Sequence, residues 1–128
     1  MRTFEDIIAG ELLALMRAGA TPRAVRITVR EVVVERLGVG SLGPREVSET
    51  AAAAARAACR LVRELGAPED VVEAVCRAAL DAVRGHGGES ARWFADATSA
   101  VFEALDELAR ERQEEPEWHW LAGRLPRW

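Results

Sequence analysis

The sequence predicts an all-α protein: an antiparallel helical bundle of four to five helices followed by a short tryptophan-rich C-terminal tail. Three observations carry that expectation. Glycines at 19, 38–43, 66 and 85–88 cut the chain into five segments, most of them with apolar residues recurring every three or four positions. Three segments open near a proline, at Thr21-Pro22, Gly43-Pro44 and Ala67-Pro68, where the missing N–H leaves no helical bond unmade. The links are short, and short links between amphipathic helices make neighbours antiparallel.

The first helix is expected from about Phe4 to Ala18, with Thr3 as its cap and Asp6 three residues on in the place a capping box gives to Glu. Phe4, Ile8, Leu12 and Leu15 form its apolar stripe. The second segment, Pro22 to Leu37, is dense in β-branched residues (Val25, Ile27, Thr28, Val29, Val32, Val33, Val34), which suits a strand. Alternation fails at Glu31, whereas Val25, Val29, Val32 and Val33 keep a helical stripe behind a Thr-Pro start, so a helix is expected.

The third helix is the longest, about Pro44 to Leu65. Its seam of Val47, Ala51, Ala54, Ala58, Leu61 and Leu65 steps by four and three, and alanine at such steps lets another helix approach closely. The fourth, Pro68 to Arg84, sets Val72, Val75, Ala79 and Ala82 against a wet face of Asp70, Glu73, Arg77, Asp81 and Arg84. The fifth begins at Glu89 or Ser90 and runs to Gln113, with Phe94, Ala97, Val101, Leu105 and Leu108 as its core stripe. Glycines 19, 66 and 85 should stand just past the ends of three helices. The domain division expected is a bundle over residues 1–115 and a tail over residues 116–128.

With 128 residues, 49% hydrophobic and 30% charged, the chain is long and apolar enough for one self-supporting core. Its basic residues are all arginine, which reads as codon usage in a GC-rich genome rather than as chemistry. The net charge of −4 works against non-specific binding to DNA or to an anionic membrane. No apolar run reaches the length of a membrane span. Glu5, Asp6 and Glu11 break up what would otherwise resemble a secretion signal ahead of Ala18-Gly19-Ala20, so a cytoplasmic location is expected.

Several residue groups bear on function. Cys59 and Cys76 flank the Gly66 turn at similar depth and could meet. Free cysteine is among the most buried residue types, so two reduced, metal-free core thiols are expected rather than a redox or metal pair. Glu11 lies among Phe4, Ile8 and Leu15, where a carboxylate is either a rim residue or a buried group needing a partner; an ion pair with an arginine of the second segment or an intersubunit contact is expected rather than a pocket acid. Arg23, Arg26 and Arg30 share one face of the second helix. Gly19 and Val25 stand where a helix-turn-helix needs its turn glycine and buried apolar residue, although Glu31 and Glu35 follow directly. Residues Val39 to Leu42 resemble the core of peptides that load cargo into encapsulin shells, but at an internal rather than a terminal position.

Apolar surface points to association. On the fourth helix Leu80 and Val83 lie beside the core stripe, and Leu80, next to the charged face, should be partly wet in a monomer. Ile7 and Leu13 lie off the stripe of the first helix. Trp118, Trp120 and Trp128 crowd the tail, and tryptophans are enriched in binding hot spots.

The function expected is therefore a non-enzymatic protein–protein interaction or assembly module acting as a homo-oligomer. Its surface would comprise Leu80, Val83, Trp118, Trp120 and Trp128, with self or another protein as partner and with no cofactor or metal. Two alternatives are a DNA-binding regulator using Arg23, Arg26 and Arg30, and a ligand-binding or enzymatic bundle with Glu11 in a pocket.

Overall fold

The computed structural model describes the backbone of residues 3–38, 43–85 and 90–111. Trp118, Trp120 and Trp128, the whole of segment 116–128, and Val39 to Leu42 lie outside the described residues. Five α-helices are present: α1 (Phe4–Arg17), α2 (Pro22–Leu37), α3 (Pro44–Leu65), α4 (Glu69–Gly85) and α5 (Phe94–Glu111), the last entered through a single 3-10 turn, Ser90–Trp93. No strand occurs among the described residues.

The helix starts follow from local chemistry. The Thr3 hydroxyl accepts the Asp6 N–H at 3.1 Å, and the Asp6 carboxylate accepts the Thr3 N–H at 3.3 Å, closing the reciprocal box. Thr21 accepts the Ala24 N–H at 3.2 Å, with Pro22 in the first turn. That cap and the stripe of Val25, Val29, Val33 and Leu37, all buried, hold α2 helical despite its β-branched content. Before α3, the Gly43 N–H is taken up by the Glu46 carboxylate at 3.1 Å.

The ends follow expectation at two of three glycines. Gly19 and Gly66 take φ of 70° and 66°, the left-handed conformation that closes a helix and that other residues adopt only with strain. Gly85 instead is the last residue within α4. Pro68 stands just before α4, its carbonyl accepting the Val71 N–H at 3.0 Å.

α3 is the hub. It packs against α1, α4 and α5, and more lightly against α2. Its burial therefore exceeds one seam: Ala52, Ala53, Ala55 and Ala57 are buried along with Ala51, Ala54 and Ala58. Leu65, expected to end the seam, is 55% exposed, because it sits in the final turn before the Gly66 reversal.

α4 lies between α2 and α3 and also meets α5. That placement corrects the expectation for Leu80 and Val83: both are 0% exposed within the single chain and offer no surface to a partner. Three neighbours cover a wider arc of α4 than the one face assumed from sequence. On α1, Ile7 is 41% exposed and Leu13 half-buried.

Among the described residues no helix is long and apolar enough to cross a membrane.

Candidate functional site

Two surface grooves compete as candidate sites. The first, about 600 Å³, lies where the start of α1 meets α3 and the end of α2. Most of its charged groups already have a contact. Arg56 donates to Glu5 at 3.0 Å and also pairs with Glu49. Arg36 lies over the Phe4 ring, 5.9 Å from its centroid, and Glu46 caps α3. Burial of Arg56 works against its charge, but the hydrogen bonds it donates to Glu49 and Glu5 outweigh it and hold the guanidinium above its ordinary range. Alongside, Arg60 reaches Asp6 at 3.0 Å and Glu5 at 3.7 Å. The pairs of Arg56 and Arg60 with Glu5 and Asp6 tie α1 to α3.

The second groove, about 700 Å³, runs between α2 and α4 and is not balanced. Among the described residues four arginines line it, Arg23, Arg26 and Arg30 from α2 and Arg84 from α4, against one carboxylate, Asp81. The helical period explains the grouping: on α2, positions 23, 26, 27 and 30 fall on one face. The pairing of α2 with α4 then brings that face against positions 78, 81 and 85.

The geometry orders the arginines. Arg26 Nη2 meets Asp81 Oδ2 at 3.4 Å, with the two side chains 45% and 36% exposed. Arg30 extends over the end of α4, where a Cβ placed on Gly85 would come within 3.3 Å of its Nη2. A cation there complements the negative end of the helix dipole. Arg84 lies over the Phe94 ring, 5.8 Å from its centroid, so the first turn of α5 props it toward the groove. Arg23 is exposed and makes no ion pair among the described residues. In the middle of these charges Ile27 is 51% exposed. The groove therefore offers fixed guanidinium donors around an apolar floor, a combination suited to carboxylates flanked by apolar or aromatic groups.

The structure thus brings together Arg23, Arg26 and Arg30, as the sequence suggested, and adds Arg84, Asp81 and Ile27. Sequence reasoning placed Arg84 and Asp81 on a solvated face of α4, and only the pairing of α2 with α4, a long-range relationship, reveals their role. Glu11 is a correction: it is exposed and lines neither groove. It follows Ile8 by three positions but points outward, because the buried arc of α1 is narrow and centred on Ile8, Ala9 and Leu12.

Cys59 and Cys76 are both buried thiols that are not joined in a disulfide. Burial, with a further contribution from neighbouring Cys59, pushes the Cys76 thiol well above its ordinary range, so it stays protonated and unreactive. Among the described residues no cluster of three or more histidine, cysteine, aspartate or glutamate side chains is arranged to hold a metal ion.

Comparison with protein-family models, with curated proteins and with solved structures finds nothing that matches this chain.

Proposed function

We propose that this chain is a non-enzymatic protein-interaction module whose binding face is the α2–α4 groove, and that the groove takes carboxylate-rich polypeptide. The observation that carries this reading is the charge imbalance: four arginines and one aspartate converge around Ile27 on a chain whose net charge is −4. A surface that departs so far from the average charge favours a partner of the opposite sign. The carboxylate that lines the groove among the described residues, Asp81, is engaged by Arg26, which leaves it poorly placed to act as a general base.

Polypeptide is preferred over duplex DNA for two reasons. α2 rises only about 10 Å between Arg23 and Arg30, room for three or four residues of extended peptide. Beyond it on the same helix stand exposed Glu31 and Glu35, which would repel a continued phosphate backbone. The half-exposed Ile27 also offers an apolar contact that a phosphate backbone does not use.

The test is an anisotropy titration of the full chain with three labelled probes: a peptide alternating glutamate with leucine and tryptophan, its glutamine analogue, and a DNA duplex. The glutamate peptide should bind, weaken as salt rises, and lose at least tenfold in affinity in the Arg23→Glu/Arg30→Glu variant. Equal binding of the glutamine analogue, or preference for the duplex, would overturn the proposal.

A further inference from the structure

We infer that the occupant of the α2–α4 groove is segment 114–120 of a second copy of this chain, so that the protein assembles by placing an acidic, tryptophan-bearing segment in a partner's arginine groove. This rests on the reading of the groove as a site for carboxylate-rich polypeptide and names the polypeptide.

The first argument is charge. The segment reads Glu114-Glu115-Pro116-Glu117-Trp118-His119-Trp120, three carboxylates followed by two tryptophans. Among the described residues the groove's four arginines less one aspartate leave a net +3, matched by those three carboxylates. The second is shape chemistry. Tryptophan stacks on guanidinium planes and covers apolar surface, and the groove presents both, with Ile27 51% exposed among the arginines. From Glu114 to Glu117 an extended chain spans about 10 Å, which equals the rise of α2 from Arg23 to Arg30.

The third argument, reach, selects a second copy over the same chain. α5 starts at Phe94, beneath Arg84, and runs 18 residues to Glu111, so its far end is about 25 Å from that end of the groove. Glu114 and Glu115 lie three and four residues further on, a span of at most about 10–14 Å. From the same chain their backbone stops about 11 Å short of that end of the groove, so only fully extended side chains could close the distance. From a second copy they meet no such tether, and two chains can exchange segments reciprocally about a two-fold axis.

The experiment is sedimentation velocity on full-length chains at micromolar concentration, with two charge-reversed variants. One carries Arg23→Glu, Arg26→Glu and Arg30→Glu in the groove. The other carries Glu114→Arg, Glu115→Arg and Glu117→Arg in the segment. Wild type should sediment as a dimer, each variant alone as a monomer, and an equimolar mixture of the two as a heterodimer. Restoration in the mixture requires contact between chains, because within either variant groove and segment carry the same sign. A monomeric wild type, or a segment variant that remains dimeric, overturns the inference. The segment variant leaves every residue of the five described helices unchanged and carries the test alone if the groove variant loses its helical circular dichroism. Where wild type is monomeric yet still binds the glutamate probe peptide, the groove reading stands and only the identity of the occupant fails.

Discussion

Arg26 of α2 and Asp81 of α4 meet at 3.4 Å across the interface between their helices, and among the described residues Asp81 is the one carboxylate lining the groove. Both side chains are more than a third exposed, so the pair contributes little to stability, no more than about 1 kcal/mol. Its larger effect is to occupy one arginine.

Replacing Asp81 with asparagine should therefore leave the thermal midpoint within a few degrees of wild type while tightening binding of an acidic peptide several-fold. It removes the competing anion and raises the groove from net +3 to net +4. Parallel thermal melts and anisotropy titrations check this. A purely structural pair would show the reverse, a loss of stability with no gain in affinity.

Leu80 is enclosed by α4's own neighbours. Leu80→Ala should therefore lower folding stability by about 2–5 kcal/mol, as removal of a fully buried leucine does, without changing the oligomeric state of the molecules that remain folded. Urea denaturation read by circular dichroism gives the first quantity and sedimentation the second.

What the sequence made legible was local. Thr3 with Asp6, Thr21 before Pro22, and glycines 19 and 66 each announce a helix boundary through bonds reaching no more than a few residues, and the structure keeps them. Periodicity likewise located the buried faces of α1, α2 and α5. What it could not convey was which helix neighbours which. Leu80 sits beside charged residues in the helical wheel, and its burial depends on α2, α3 and α5 covering three sides of α4. Arg84 and Asp81 look like ordinary solvated residues until α2 is laid against them, and then they complete the site. For Glu11 the apolar neighbours in sequence left a rim position and a buried one both open, and the narrow covered arc of α1 leaves it exposed, outside both grooves.

The alanine-rich centre of α3 predicts a sharp contrast between adjacent positions. Ala54 is 0% exposed in the hub helix, so Ala54→Leu should destabilise by about 1–3 kcal/mol or more, since close-packed neighbours must move. Ala53 borders the groove between α1 and α3, where a larger side chain has space, and Ala53→Leu should cost less than half as much. Chemical denaturation of the two variants side by side measures the difference.

Asp6 gives the fold an acid limb. The hydrogen bond from Arg60, then those from Thr3, hold its carboxyl below the ordinary carboxylate range. Between the folded and unfolded values the unfolded chain binds more protons, so this contribution is present above the unfolded value, about pH 4, and is lost as pH falls through the folded one. Asp6→Asn should lower the thermal midpoint near neutrality and reduce the dependence of stability on pH below about 4. Melts from pH 2 to 7 test it, and an unchanged acid limb in the variant would assign that limb to other carboxylates.

Cys76 predicts the opposite limb. Its thiol is buried and held protonated by burial, with Cys59 adding to the effect. In the unfolded chain a thiol ionises near pH 8.5, so above that value the unfolded state gives up a proton that the folded state retains. The stabilisation is therefore complete below the unfolded value and declines as pH rises through it toward the folded one. Stability should fall between about pH 8.5 and 10, and Cys76→Ala, although less stable throughout because it leaves a small cavity, should fall less steeply over that range. The same burial makes thiol labelling of the native protein follow its opening reactions: slow without denaturant, and fast at both cysteines once urea unfolds the chain. Rapid labelling of Cys76 in the native state would place that thiol at the surface and overturn the assignment.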